Sequence, residues 1–289
     1  MTIFFVAFLW ALTFPLAKIG VAETTPLALT SIKLWSASLL MWGLAVSTKE
    51  KNPNAPHKLT LKLSILGNAI PCTMLVYAES YIASNIAGVI STITPFFALG
   101  LNHKNFHLKT LLSLFVACFG VFLMSQELFT DSIPGNEYGL YLMLITCFSS
   151  ACSFHLHERG KTSLNYLDLR NQLGIAAAIV TSCHFIFEAH NIPNLYALLS
   201  GLGMGFVTAI GWKLFYDYNF KYQDTVSTCS VFFLFPFFSC LYGYVLLGEE
   251  LSSVQSIGAG IIVISCGMLQ WKNNLDYSKQ KETPRALHS

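Results

Sequence analysis

The chain has 289 residues, 54% of them hydrophobic and only 11% charged, with a formal net charge of +2. Ordinary soluble domains carry about 25% charged residues, so this composition cannot cover a water-facing surface. A soluble fold is excluded, no nucleic-acid partner is expected, and the chain reads as an all-α integral membrane protein with the lipid bilayer as its solvent.

A hydrocarbon core of roughly 30 Å takes about 20 apolar helical residues to cross. In lipid, each segment must satisfy its own backbone, so each is a helix. Ten such spans are expected, at 2–20, 26–47, 61–83, 85–103, 108–126, 137–156, 165–187, 195–217, 224–247 and 252–271. The first starts almost at Met1 with no basic leading region, so no cleaved signal peptide is expected. The longest linker runs from Thr48 to Thr60, and a polar tail follows at 272–289.

The first span carries Trp10 and Thr13 near mid-membrane and ends at Lys18. An aromatic side chain beside a hydroxyl suits a cavity wall, and it suits plain packing as well. Lys33 lies about 10 Å into the second span, counting 1.5 Å per residue from Pro26. An intramembrane charge costs a few kcal/mol unless paired or hydrated. Lys33 therefore reads either as a group on a substrate or ion pathway or as a side chain that snorkels outward. In the third span, Tyr77 and Tyr81 flank Glu79. Burial would raise the pKa of such a carboxyl and suit it to carry protons. It could equally neutralise Lys33 or Lys18.

The fourth span contains Thr94 and Pro95. A helix-interior proline removes one hydrogen bond and bends the helix. That leaves a free carbonyl at the depth where transporter sites sit. In the sixth span, His155 and His157 beside Arg159 read as helix-end cations. The eighth span opens with Gly201, Gly203 and Gly205, whose spacing allows close helix approach, and later carries Trp212 and Tyr216. The ninth holds Phe232, Phe235 and a second mid-span proline, Pro236. With Trp10, Thr13, Tyr77, Thr94 and Pro95, these residues form the expected cavity lining. Lys18, Lys33 and Glu79 are the expected intramembrane charges.

The eight cysteines lie in apolar segments without metal-type spacing. They read as small apolar side chains, and no metal, catalytic residue or cofactor is expected. Lysines and arginines collect at Lys49–Lys62, Lys104–Lys109, Arg159–Arg170, Lys213–Lys221 and beyond Lys272, on one side of the ten spans. The positive-inside rule then places both termini in the cytoplasm.

The chain also repeats itself. Ile93-Thr94-Pro95-Phe96-Phe97 matches Leu234-Phe235-Pro236-Phe237-Phe238, and Gly120–Met124 echoes Gly267–Trp271. The halves are 1–127 and 137–271, followed by the cytoplasmic tail 272–289. Five spans per half is an odd number, so the second half enters the membrane from the opposite side. Two inverted five-helix repeats result, an architecture of secondary transporters.

Pro236, Leu246-Leu247-Gly248-Glu249 and the glycines at 258, 260 and 267 resemble the end of the EamA domain of the drug/metabolite transporter superfamily. The first half departs from that pattern, with Asn102-His103-Lys104 in place of the Leu-Gly-Glu turn. The resemblance implies a secondary transporter that exports a small amino-acid-like or drug-like solute, and the compact chain with no expected leader suits a bacterial inner membrane. Proton coupling is open, as are the exact substrate and the oligomeric state. A channel, or less readily a lipid-modifying membrane enzyme, are the competing readings. The scattered His, Glu and Cys residues offer no nucleophile and base at one depth.

Overall fold

The computed structural model of the protein describes residues 2–101, 108–125, 136–188, 193–222 and 230–247, with 253–254, 257–258, 260–262 and 264–265 of the last segment. The turn at Gly248–Glu250, the Asn102–Lys104 segment, Cys229, Cys266 and the tail lie outside the described residues. Every regular element among the described residues is helical.

In chain order the helices are α1 (Thr2–Val21), α2 (Pro26–Ser47), α3 (His57–Glu79) and α4 (Ser84–Leu101). Then come α5 (Leu108–Ser125), α6 (Glu137–Gly160), α7 (Tyr166–Phe187) and α8 (Leu195–Lys221). The last, α9, joins a 3₁₀ turn (Ser230–Leu234), an α-helix (Phe235–Tyr242) and a π turn (Gly243–Leu247). Among the described residues, α1, α2, α3, α4, α6 and α8 are long and apolar enough to cross a membrane. The described residues between 253 and 265 are helical too. Several boundaries differ from the expected spans: α3 begins at His57, four residues before position 61, and α8 runs to Lys221, four beyond 217. Pro56, extended at ψ 144°, sets the start of α3, because proline has no amide to leave unsatisfied there.

The outer surface is apolar. Phe5, Trp42, Phe115, Phe148, Leu199 and Phe206 are each at least half exposed, whereas Thr30, Ser64, Ser153 and Ser239 are fully buried. Water would favour the reverse. This is a multi-pass integral membrane protein with lipid as its outer solvent. The buried hydroxyls are satisfied locally: Thr30 Oγ1 donates to the Pro26 carbonyl at 2.8 Å and Ser64 Oγ to Thr60 at 2.7 Å.

Helices α2 and α7 run antiparallel and are pinned at both ends by carboxylates from α7. At one end, Asp168 accepts from the amides of Asn54, Ala55 and Asn165. This docks the Thr48–Pro56 linker onto the start of α7 and closes a reciprocal cap with Asn165. At the other end, Glu188 accepts from the Leu27 amide (3.1 Å) and from the Tyr77 hydroxyl (2.7 Å), and lies 3.0 Å from His184 Nδ1. Thr25, the residue at the cap position of α2, makes no side-chain cap, so Glu188 supplies the anion for that positive helix end.

Burial pushes the Glu188 carboxyl up. Hydrogen bonds from Thr25, Tyr77, His184 and the Leu27 amide outweigh that and hold it below its ordinary value. A depressed carboxyl pKa stabilises the fold above the unfolded value, near about 4.3, and that contribution is lost as pH falls through the folded value. The Tm of the purified protein is therefore expected to fall on acidification below about pH 5. In Glu188→Gln, Tm should start lower at neutral pH and change less over that range. Parallel acid limbs for the two proteins would contradict this.

Helices α4 and α9 share a 3₁₀-to-α switch at a proline. Helix α4 passes through a 3₁₀ turn at Ser91–Ile93 and resumes as an α-helix at Thr94, with Pro95 second. The described part of α9 opens on its 3₁₀ turn and becomes α-helical at Phe235, with Pro236 second. A first-turn proline costs nothing, since its missing amide would have no helical partner. The sequence expectation was a kinked continuous helix, and the structure instead places each proline at a restart. The two broken helices cross closely: a Cβ on Gly88 of α4 would run into Ser239 of α9.

Candidate functional site: a central aromatic cavity

A cavity of about 90 Å³ opens between the helices beside both breaks. Trp10, Thr13 and Phe14 come from α1, and Lys33 from α2. Helix α3 gives Gly67, Pro71, Cys72 and Leu75, while α4 gives Ser91 and Thr94. Helix α6 contributes Met143, Thr146, Cys147, Ser150 and Phe154. Thr208 and Trp212 come from α8, and Phe232 and Phe235 from α9. Each stripe follows helical geometry. Positions 143, 146, 147, 150 and 154 fall on one face of α6, as do 67, 71 and 75 of α3. Helix α3 carries a π turn at Ile65–Ala69, just where it meets the cavity. Such turns re-aim the following residues and frequently mark functional sites.

One wall is aromatic. Trp10 meets Trp212 edge-on at 4.9 Å and lies 6.2 Å from Phe232. Phe154 lies 5.8 Å from Trp212 and 5.7 Å from Phe232, and Phe232 lies 4.9 Å from Phe235. The edge-to-face Trp10–Trp212 pair holds its rings in place beyond what area burial supplies, by about 1 kcal/mol, and the remaining pairs are tilted. Gly211 is what admits the Trp10 indole, since a Cβ there would overlap the ring.

The lining also carries hydroxyls and one cation. Several hydroxyls donate to carbonyls of their own helices: Ser91 Oγ to Gly88 at 2.6 Å and Thr146 Oγ1 to Leu142 at 3.0 Å. Their lone pairs remain available as acceptors. Lys33 is only 3% exposed, so it does not snorkel to the surface. Among the described residues, no aspartate or glutamate lines the cavity.

Of the residues singled out from the sequence, Trp10, Thr13, Thr94, Trp212, Phe232, Phe235 and Lys33 meet at this cavity. Four others stand beside it. Tyr77 reaches Glu188 at the end of α7. Pro95 and Pro236 shape the helix restarts without lining the space. Tyr216 is buried behind Trp212, stacked on it at 5.0 Å and 4.5 Å from the His157 ring. Lys18 and Glu79 also lie off the cavity. Lys18 Nζ donates to the carbonyls of Glu79 (2.8 Å) and Ile82 (2.9 Å), a cation at the carbonyl end of α3. The Glu79 side chain accepts from Ser84 at 3.2 Å. Arg170 faces a separate groove with Trp35 and His57. Among the described residues, no group of three or more His, Cys, Asp or Glu side chains could hold a metal ion.

Sequence reasoning missed the stripe on α6, together with Phe14, Gly67, Pro71, Cys72, Leu75, Ser91 and Thr208. A signal was there: 146, 150 and 208 are hydroxyl residues inside otherwise apolar spans, and Gly67–Pro71–Leu75 repeats every four residues.

The profile described as "EamA-like transporter family" matches residues 1–126 and 137–271. An "Uncharacterized transporter" of Archaeoglobus fulgidus is 24% identical, covering 88% of this chain and 92% of that protein. An "S-adenosylmethionine/S-adenosylhomocysteine transporter" of Chlamydia muridarum is 25% identical, covering 92% of this chain and 90% of its own length. A solved structure described only as "Crystal structure of protein" shares the fold, with a TM-score of 0.75, 15% identity, and 94% and 96% of the two chains covered.

Proposed function

The chain belongs to the EamA-like transporter family, and from that premise we propose that it is a secondary exporter of a small amphipathic organic solute, working by alternating access around the central cavity. The observation that carries this reading is the cavity itself: it is walled by residues of both matched segments, 1–126 and 137–271, beside both helix breaks. Transporter sites are built from discontinuous helices near the midplane.

In this reading the protein has ten membrane helices, arranged as inverted five-helix repeats over 1–127 and 137–271. Both termini face the cytoplasm of a bacterial inner membrane. The paired breaks at Pro95 and Pro236 support the repeat. The one-sided distribution of lysine and arginine supports the orientation. Ligand pockets usually hold about 300–1,000 Å³, and the cavity of about 90 Å³ is smaller than that. The helices must part before a solute enters, which is what alternating access requires.

The aromatic wall and hydroxyl ring suit a solute with one flat apolar part and one polar part. The chlamydial relative's named substrates, an amino acid joined through sulfur to a purine nucleoside, have that form. Export draws on an ion gradient or on exchange. If protons couple through Glu79, the effect passes through Ser84 and the α3–α4 turn, since Glu79 stands off the cavity.

The test is flux into liposomes containing the purified protein, using radiolabelled S-adenosylhomocysteine and aromatic amino acids, with and without a pH gradient. Saturable flux of one of these is expected. Trp212→Ala should cut it about tenfold or more, as loss of a central aromatic anchor does, while leaving a cooperative thermal transition. Flux that never saturates would favour a channel. Flux unchanged in Trp212→Ala would place the pathway elsewhere.

A further inference from the structure

We infer that Lys33 is the recognition group for a carboxylate on the transported solute, so that the protein carries aromatic carboxylates in preference to organic cations. The inference rests on the central cavity being the transport site.

Lys33 lies in the wall of that cavity and is only 3% exposed. Its ammonium has no hydrogen-bond or ion-pair partner among the described residues. The acidic groups nearby are engaged elsewhere. Glu79 accepts from Ser84 off the cavity, and Glu188 and Asp168 hold the two ends of the α2–α7 pair. Among the described residues, no acidic residue lines the cavity. A lysine enclosed without a counter-ion is costly, and an intramembrane charge marks a substrate or ion path by default. A solute carboxylate would complete the pair at the moment of binding.

The surroundings fit such a solute in size and polarity. Trp10, Phe154, Trp212 and Phe232 offer ring faces and edges to an aromatic group. The hydroxyls of Thr13, Thr94 and Thr208 can accept from a solute amine. A cationic solute would meet Lys33 with no carboxylate to offset it.

The experiment compares phenylacetate, indole-3-acetate and L-phenylalanine, each with its own carboxamide, as stabilisers of the full-length purified protein. In wild type the carboxylates are expected to bind about tenfold tighter than the amides, the span of a charge-assisted hydrogen bond. In Lys33→Met that ratio should fall to about one, while Lys33→Arg keeps a preference. Lys33→Met should also raise the ligand-free Tm, because an apolar side chain of similar length replaces a buried unpaired ammonium. A ligand-free Tm that falls in Lys33→Met would make the lysine structural and overturn the inference. Equal binding of acids and amides to wild type would overturn it too, yet leave the transporter reading standing. If neither member of any pair stabilises wild type, the inference falls together with the reading of the cavity as the transport site.

Discussion

Replacing Gly205 by alanine is expected to cost about 2 kcal/mol and to lower Tm by about 6 °C in a chain of this size. Gly205 lies on α8 where it crosses α2. A Cβ there would stand 2.7 Å from the Lys33 carbonyl oxygen and would overlap Ser36. The obstacle is backbone, which cannot swing aside as a long side chain can, so the helices must separate. Membrane helices associate largely through such close contacts between small residues. The neighbours divide the surface: Gly201 faces Ile32 and Leu29 of α2, and Gly203 faces Leu16 of α1. Separation at Gly205 also moves Lys33 away from Thr208 and Trp212, so transport should fall along with stability. Gly43→Ala is the control, because nothing lies within 4 Å of a Cβ at that site; its Tm should hold or rise slightly. Thermal unfolding by intrinsic fluorescence reads both variants. Equal Tm values for them would contradict the account.

Replacing Asp168 by alanine should cost more, about 3 kcal/mol, or about 10 °C. Asp168 is fully buried and accepts from three amides: Ala55 at 2.9 Å through one oxygen, and Asn54 (3.1 Å) and Asn165 (2.9 Å) through the other. Alanine leaves all three amides without this acceptor, the Ala55 amide in a buried site and those of Asn54 and Asn165 in part-buried ones, and an unmet buried donor costs more than the bond itself was worth. Asparagine should recover about half. Its carbonyl oxygen can serve the two amides on one side, but its amide group then opposes the Ala55 amide. Because these bonds dock the 48–56 linker, limited proteolysis near Lys51 should accelerate in Asp168→Ala before any global unfolding. A variant as resistant as wild type would show that the linker is held by other contacts, such as Asn165 Nδ2 on the Asn52 carbonyl (2.8 Å) and Glu50 on the Leu167 amide (3.1 Å).

Embedding in a membrane was legible from composition, because no charge-poor chain of this length can face water. Among the described residues, helix positions up to α8 were legible within a few residues, because the bilayer sets the length of an apolar run and linkers interrupt it. The two prolines were legible as points where a helix is disturbed, because a proline cannot donate in a helix wherever it stands, but they read as kinks and not as the start of an α-helical segment. Glu188 as a cap for α2 was not, since cap and capped amide are 161 positions apart. The Asn165-Tyr-Leu-Asp168 cap, by contrast, was readable as a local helix start.

Which face of each helix looks inward could not be read. In a soluble helix the apolar stripe marks the core, but here lipid and core are both apolar, so periodicity says little about direction. Lys18, Lys33 and Glu79 look alike as charges inside apolar spans. Only packing separates them: Lys18 closes the end of α3, Glu79 accepts from Ser84, and Lys33 enters the cavity. The sequence by itself determined that this chain lives in lipid, where most of its helices run and where proline disturbs two of them. The tertiary structure alone decided which polar side chains meet across α1, α2, α3, α4, α6, α8 and α9, because that depends on helix rotation, and rotation is set by close contacts such as Gly205 on Lys33 and Gly211 on Trp10.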